Sequence, residues 1–139
     1  MSQTTEIPRP LPRPTVDTAP YFKAAAEGRL EVPQCADCGA FFWTPQKMCP
    51  SCLSDNVAWK TLSGDGTVFT YIVVGRPVHP WFASQVPYAL ALVEFPDAPG
   101  IRILADVLGD PEQVSFGAAV RATFERIDED FGLMHYELA

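Results

Sequence analysis

Four cysteines in two Cys-x-x-Cys pairs are the residues of this chain whose spacing points most directly to chemistry. Cys35 and Cys38 form the first pair, Cys49 and Cys52 form the second, and the chain has four cysteines in all. Two intervening residues let both sulfurs of a pair turn toward one point, and a second pair a short hairpin later completes a tetrahedral set of thiolates. The spacing therefore predicts a closed, structural Zn²⁺ site.

Three other uses of these cysteines fit the sequence less well. A catalytic zinc keeps one coordination position open for water, whereas four thiolates leave none. A thioredoxin-like dithiol needs one pair at the start of a helix in a βαβ unit, but Pro45 and Pro50 mark turns in this segment. A disulfide framework implies secretion, and residues 1–20 lack the apolar region of a signal peptide. We therefore expect a cytoplasmic protein.

Length and charge limit the remaining possibilities. A chain of 139 residues can hold one hydrophobic core and a small metal-stabilised module. No apolar run approaches the length of a membrane span, so we expect a soluble protein without a membrane partner. Residues 1–60 carry six Lys or Arg and six Asp or Glu, whereas residues 61–139 carry four and eleven. The C-terminal half therefore holds the excess negative charge.

Proline, glycine and the spacing of apolar residues divide the chain into four expected segments. These are a flexible Pro-rich tail at 1–17, a helical arm at 18–33, a zinc ribbon at 34–56 and an OB-fold barrel at 57–139. In the arm, Pro20 suits the first helical turn and Gly28 suits the end of the helix. Tyr21 and Phe22 would anchor this helix through their aromatic rings.

The barrel is predicted from five β-type segments. They are rich in β-branched and aromatic residues or alternate between apolar and polar residues, and they span 67–74, 88–95, 101–107, 119–126 and 132–138. A short helix is expected after the third segment, where Asp110 can cap it and Pro111 fits its first position. Three strands, a short helix and two strands are the order of a five-stranded Greek-key barrel, the OB-fold. The predicted fold class is mainly β.

The series of motifs resembles one known family over residues 18–138. The motifs are Glu27-Gly28-Arg29-Leu30, the four-cysteine ribbon with Thr44-Pro45, Gly64-Asp65-Gly66-Thr67-Val68, Pro87-Tyr88-Ala89-Leu90-Ala91-Leu92-Val93-Glu94 and Gly100-Ile101-Arg102. In this order they resemble the zinc-ribbon plus OB-fold family catalogued as domain of unknown function 35. The chain departs from the family at Gln46, where an arginine is usual, and at Tyr21 and Phe22, where a Phe-Trp pair is usual.

The resemblance implies a rubredoxin-like zinc ribbon and a function in acyl-CoA chemistry. Members of this family are accessory subunits of thiolase-fold enzymes, including thiolases, acyltransferases and steroid side-chain aldolases. The implied role is that of a non-catalytic or co-catalytic subunit, which binds and stabilises such an enzyme in a hetero-oligomer, for example a 2:2 complex, and helps to shape the CoA or acyl entrance. A CoA thioester shared with the partner is also implied. We expect the partner to hold most of the CoA, so that this chain contributes at most isolated groups such as Arg76 or Arg102.

A loop at residues 76–86 is the expected docking surface. It contains His79, Trp81 and Phe82 and connects the first two barrel strands, beside the usual binding face of OB-folds. The two rings either fold back onto the barrel or ribbon, or they contact a partner, since aromatic anchors dominate interface energies. With the arm, the expected partner interface is Tyr21, Phe22, His79, Trp81 and Phe82.

The residues argue against independent catalysis and against nucleic-acid binding. The chain has no Gly-x-Ser-x-Gly motif, and neither His79 nor His135 has a nucleophile beside it in sequence, so no catalytic residue is predicted. We expect His135 to occupy an ordinary sheet position. Zinc ribbons and OB-folds bind single-stranded nucleic acids in other proteins, which leaves that role as the alternative. The acidic triplet at 128–130 would repel phosphates, so nucleic acid is the less favoured partner.

Overall fold

A computed structural model describes residues 7–139, and residues 1–6 of the expected flexible tail lie outside the described residues. Among residues 7–139, no helix is both long and apolar enough to cross a membrane. The described residues form one α-helix and seven strands, with 3₁₀ turns at Pro80–Ser84 and Pro111–Gln113. In chain order the elements are α1 (Ala19–Ala26), β1 (Leu30–Cys35), β2 (Val57–Leu62), β3 (Asp65–Val74), β4 (Tyr88–Glu94), β5 (Arg102–Val107), β6 (Ala119–Arg126) and β7 (Gly132–Leu138).

Helix α1 forms where Pro20 supplies a fixed φ in the first turn and a run of alanines favours the helix. Gly28 ends it with a φ of +79°, a conformation that favours glycine. The buried side of α1 lies directly on β7, because a Cβ atom at Gly132 would overlap the backbone of Ala25 and Ala26. The helix is therefore fixed to the barrel by close backbone packing.

Strands β1 and β2 form a separate two-stranded sheet beneath the cysteine turns. They pair antiparallel, with Leu30 opposite Leu62 and Cys35 opposite Val57. The pair extends across the expected segment boundaries, since β1 begins within 18–33 and β2 lies within 57–139. The segment after the second cysteine pair thus returns to close the stem of the ribbon before the barrel begins.

The remaining strands close a five-stranded barrel in the order β3-β4-β5-β7-β6, and the predicted mainly β fold class is confirmed. Alternation along β4 places every second side chain, including Val93, in the barrel interior. Tyr136 is fully buried there, and its hydroxyl donates to the Ile103 carbonyl at 2.9 Å. The expected short helix is a 3₁₀ turn, in which the Asp110 side chain accepts from the Glu112 N–H at 2.9 Å.

Candidate metal centre and outer groove

The four cysteine sulfurs converge on one point at the end of the β1–β2 sheet. All four Sγ atoms lie within 4.8 Å of one another. The Sγ atoms of Cys35 and Cys52 are 3.5 Å apart, and those of Cys38 and Cys49 are 3.7 Å apart. Four sulfurs bound tetrahedrally at about 2.3 Å from Zn²⁺ are separated by about 3.8 Å. The donor set and its geometry therefore fit a closed zinc centre.

Backbone N–H groups of the two turns point at the sulfurs and favour the thiolates. The N–H of Cys38 donates to the Cys35 Sγ at 3.4 Å and lowers the pKa of Cys35 to about 7. The N–H groups of Cys52 and Ser51 lower the pKa of Cys49 in the same way. Gly39, with a φ of +79°, closes the first turn through its N–H bond to the Cys35 carbonyl at 2.9 Å. Each turn is thus preorganised for metal.

The Cys52 thiol shows why a cation is needed before all four cysteines can be thiolates. The N–H of Ser54 lowers the pKa of Cys52, but the adjacent Cys35 sulfur and burial outweigh it, and the pKa rises to about 12. Two thiolates in contact repel each other, so the second sulfur keeps its proton unless a positive charge lies between them. A divalent cation removes this conflict because metal-bound thiols are deprotonated.

The aromatic residues between the cysteine pairs pack in two directions. Phe42 is 4% exposed and packs against Cys35 and Cys49. Phe41 and Trp43 pack instead against the main hydrophobic core. These rings join the metal centre to the rest of the molecule.

Tyr21 and Phe22, two of the expected interface residues, contact this chain itself. The Tyr21 ring meets Trp43 edge-on with centroids 5.0 Å apart, and its burial raises the pKa of Tyr21 to about 12. The Phe22 ring stacks on Phe131 with centroids 5.1 Å apart. The two side chains therefore connect α1 to the ribbon and to the barrel, and their role in a partner interface stays a prediction.

The loop with the other three expected interface residues folds back over the barrel. His79 Nδ1 accepts from the Trp81 N–H at 3.1 Å and caps the 3₁₀ turn Pro80–Ser84. The rings of Trp81 and Phe82 meet edge-on at 5.1 Å, and Phe82 lies 5.8 Å from Tyr88 on β4. Trp81 and Phe82 are half-buried, so each ring keeps one exposed side. A partner contact by this loop remains a prediction.

These rings form one side of an open groove of about 860 Å³ on the outside of the barrel. We call it the outer groove, and its apolar walls are Trp81, Phe82, Tyr88, Leu104, Leu108 and Leu133. Its base consists of outward-facing side chains of β4, β5, β7 and β6. An OB-fold binds its ligands on the same kind of surface, the face of its second and third strands beside the loop that precedes them.

A charged network joins three strands at the base of the outer groove. His135 Nδ1 lies 2.6 Å from Asp106 Oδ1, and His135 Nε2 lies 2.9 Å from Glu125 Oε1. Ionised carboxylates only accept hydrogen bonds, so this arrangement favours the protonated imidazole, in which both ring nitrogens donate. The bond to Asp106, followed by that to Glu125, raises the pKa of His135. A two-pronged bond from Arg9 is the main cause that lowers the pKa of Glu125 to about 2.

The sequence analysis did not identify this network, since His135 was expected to be an ordinary sheet residue. Asp106, Glu125 and His135 all face outward on strands that the OB-fold order places side by side. That order and the alternation of each strand could have placed them on one surface. Their contact depends on register, such as Thr123 opposite His135, which the sequence does not provide.

Arg9 belongs to the described part of the expected tail and contacts the barrel. Residues 7–14 have no helix or strand. The Arg9 guanidinium carbon lies 4.9 Å from the centre of the Trp81 ring, while its nitrogens bind Glu125. The Arg9 side chain therefore attaches this part of the tail to the rim of the outer groove.

Comparison with known families matches both halves of the chain. The model of the ChsH2 rubredoxin-like zinc ribbon domain matches residues 22–58. The model of the ChsH2 C-terminal OB-fold domain matches residues 59–125. The two matches follow each other in the order of the observed ribbon and barrel.

The proteins similar in sequence to this chain include a hydratase subunit and a scaffold protein. A probable enoyl-CoA hydratase alpha subunit from Thermomonospora curvata is 35% identical over 137 residues, which cover 94% of this chain and 41% of that protein. The chain thus spans about two fifths of the length of this relative. A DUF35 domain-containing scaffold protein from Methanocaldococcus jannaschii is 37% identical over 99 residues, covering 70% of this chain and 68% of that protein.

Two solved structures share the architecture. A chain of the Ltp2-ChsH2(DUF35) aldolase superposes with a TM-score of 0.79 at 30% identity, covering 92% of this chain and 98% of that chain. A DUF35-family protein of unknown function from Sulfolobus solfataricus gives a TM-score of 0.60 at 16% identity, over 89% of this chain and 86% of that chain. The second likeness concerns the fold alone.

Proposed function

Because the chain belongs to the DUF35 family of ChsH2-type zinc-ribbon and OB-fold proteins, we propose that it is an accessory subunit that binds and stabilises an enzyme acting on acyl-CoA thioesters. The observation that carries this proposal is the likeness, over 92% of this chain, to a chain of the Ltp2-ChsH2(DUF35) aldolase. The names of the other relatives, a hydratase subunit and a scaffold protein, support the same role.

The chemistry of the described residues supports an accessory role. The four thiols converge in the ribbon. The hydrogen bonds of the His79 and His135 rings, among residues 7–139, go to a backbone N–H and to two carboxylates, and they include no hydroxyl or thiol. A histidine base needs a nucleophile within hydrogen-bond reach. The catalytic residues would therefore come from the partner.

We assign structural Zn²⁺ to Cys35, Cys38, Cys49 and Cys52. The four sulfurs would hold the ion without an open position, so the metal would supply stability and no Lewis-acid chemistry. The ribbon's position beside α1, through Trp43 and Tyr21, would let the metal centre fix the orientation of the helical arm. Zinc thereby supports the shape of the proposed interface indirectly.

The proposed partner is a thiolase-fold enzyme such as a steroid side-chain aldolase, thiolase or acyltransferase, within a hetero-oligomer such as a 2:2 complex. Family resemblance supports the thiolase fold, and the aldolase title of the matched structure supports carbon–carbon bond cleavage. The acyl group of the substrate differs among such enzymes. The partner class therefore follows from family membership, and the substrate is left to assay.

CoA would be shared unevenly with the partner. Carboxylates of Asp106, Glu125 and Glu137 line the outer groove and outnumber its cations, Arg9 and His135, so CoA phosphates are disfavoured there. Arg102 is already paired with Glu94 at 2.9 Å and stacked on Phe69 at 3.7 Å, which leaves little of its charge for a phosphate. The partner would hold the phosphates, and this chain would shape the acyl entrance. The same carboxylates disfavour the single-stranded nucleic-acid alternative.

The test is purification of the tagged full-length chain from its native cytosol, followed by mass spectrometry, zinc quantification and assay of the recovered complex. We expect a stoichiometric enzyme whose turnover of CoA thioesters falls when this chain is removed, with about one zinc per chain. Recovery of the chain with nucleic acid, or without an enzyme that uses CoA thioesters, would contradict the proposed function.

A further inference from the structure

We propose that the outer groove is a docking site for an arginine-bearing, otherwise apolar segment of the partner enzyme. In the chain alone, Arg9 occupies the place of that arginine, which we call the guanidinium site, until the partner displaces it. This inference rests on the proposed function, which supplies the partner. It assigns a surface and a recognition chemistry to that role.

This chain supplies all the groups that bind the guanidinium of Arg9. Arg9 Nη1 lies 2.6 Å from Glu125 Oε2, and Nη2 lies 3.0 Å from Oε1. The Arg9 guanidinium carbon also lies 4.9 Å from the centre of the Trp81 ring. A carboxylate that binds both nitrogens and an aromatic face together recognise arginine better than lysine. His135 Nε2 contacts Glu125 Oε1 as well, so Glu125 keeps one partner whether or not Arg9 is bound.

Arg9 is held there weakly enough to be replaced. The side chains of Arg9 and Glu125 are 28% and 40% exposed, and exposed ion pairs contribute little to stability. The described backbone hydrogen bonds include none made by residues 7–14. Releasing Arg9 would therefore break no helix or strand.

The chemistry of the groove identifies the segment that would replace it. Leu104 and Leu108 are 57% and 47% exposed, although large apolar side chains gain from burial. Next to them, Asp106, Glu125 and Glu137 supply negative charge. Apolar walls beside carboxylates complement an arginine among apolar residues and repel an anionic ligand. The volume of about 860 Å³ lies within the range of sites that take up a compact ligand.

The first test uses a synthetic peptide, Ile-Pro-Arg-Pro-Leu-Pro, which repeats residues 7–12. It is titrated into the full chain and its Arg9→Ala variant, with NMR of the Trp81 indole N–H as the signal. Removing the internal competitor should tighten peptide binding several-fold, as expected for displacement of a weak exposed ion pair, whereas Arg13→Ala should match the unchanged chain. Adding Glu125→Gln to Arg9→Ala, or replacing the peptide arginine by neutral citrulline, should abolish binding. Equal binding by the chain with and without Arg9, or full binding of the citrulline peptide, would overturn the guanidinium site.

The second test uses the acyl-CoA enzyme recovered with the chain. Arg9→Ala should raise the affinity for that enzyme several-fold, Glu125→Gln should lower it, and Arg13→Ala should leave it unchanged. If Arg9→Ala and Glu125→Gln weaken the complex equally, Arg9 is itself a partner contact and the displacement model is wrong. Recovery of no such enzyme would contradict the proposed function and the choice of partner, while the peptide titration would still decide the guanidinium site.

Discussion

The ribbon and the barrel of this chain are stabilised by different means. In the barrel, Val93, Ile103, Val120 and Tyr136 are each at most 1% exposed and belong to one large apolar core. The ribbon's own buried cluster contains only Cys35, Phe42 and Cys49 among the described residues, and two of these are proposed metal ligands. Burial of apolar area can stabilise the barrel directly, whereas a module this small needs a metal. The two regions should therefore respond differently to the same kind of damage.

The largest expected effect is the loss of one proposed zinc ligand. Cys49→Ser should lower zinc affinity by more than about 100-fold, because even residues that only support metal ligands contribute about 10- to 100-fold. The ribbon should then unfold, and partner binding should weaken, while the barrel keeps its cooperative transition. Zinc content, tryptophan fluorescence and complex formation measure these outcomes.

Ser51→Ala is the matched control for this substitution. Ser51 contacts the metal centre through its backbone N–H, which donates to the Cys49 Sγ and survives the change. Zinc content and fluorescence should therefore match those of the unchanged chain. If Cys49→Ser keeps full zinc content and forms the complex normally, the difference between the two regions disappears and the zinc assignment is wrong.

A smaller effect is expected from a cavity in the barrel. Ile103 is 1% exposed, so Ile103→Ala should lower the free energy of unfolding by about 2–5 kcal/mol. The next residue faces outward, and Leu104→Ala should change stability by no more than about 0.5 kcal/mol. Denaturant unfolding measures both, and zinc content should stay constant in each variant. Equal losses at these adjacent positions would contradict the inward and outward assignment of β5.

Sequence reasoning succeeded where the signal was local. The β-type residues of 88–95 predicted a strand, which is present as β4. The Asp110-Pro111 pair predicted a short capped helix, which is present as the capped 3₁₀ turn Pro111–Gln113. The cysteine spacing predicted the cluster because each pair needs only its own turn.

Sequence reasoning failed where the pairing of strands that are distant in sequence decides the structure. The pairing of β2 with β1 depends on a return of the chain across the cysteine turns, and 57–62 alternates like any other strand. The contacts of His135 require three strands in one register, and its partner Glu125 also binds Arg9, which lies 116 positions away in the sequence. Periodicity shows which face a residue occupies, but it does not show which residue on the neighbouring strand it meets.

The contact between α1 and the barrel can be broken without touching either core. Gly132→Ala would place a methyl group against the backbone of Ala25 and Ala26, which cannot rotate away. We expect a loss of about 1–3 kcal/mol, as for other overpacked sites. Gly75→Ala is the control, since an added Cβ there meets nothing within 4 Å. Thermal unfolding measures both, and an undiminished Tm for Gly132→Ala would show that α1 is not seated on β7 as described.

The smallest expected effect concerns the charged network on the barrel. Since the pKa of His135 is higher in the folded chain, through its bond to Asp106, protonated His135 stabilises the fold. That contribution is complete below the unfolded value of about 6.5 and is lost as the pH rises through the folded pKa. His135→Gln should therefore remove part of the decline in Tm above pH 6.5. The loss of folding free energy should be about 1 kcal/mol or less, because Glu125 is partly exposed.

His79→Asn separates this effect from a general loss of histidine. Asparagine can also accept the N–H of residue 81 at the cap position, so the 3₁₀ turn should remain. This variant should retain the decline in Tm above pH 6.5 that His135→Gln reduces. Glu125, whose pKa is about 2, contributes in the opposite direction, since its stabilisation is present above about pH 4.5 and is lost as the pH falls toward 2. Parallel Tm profiles for the two histidine variants would show that protonation of His135 does not stabilise the fold.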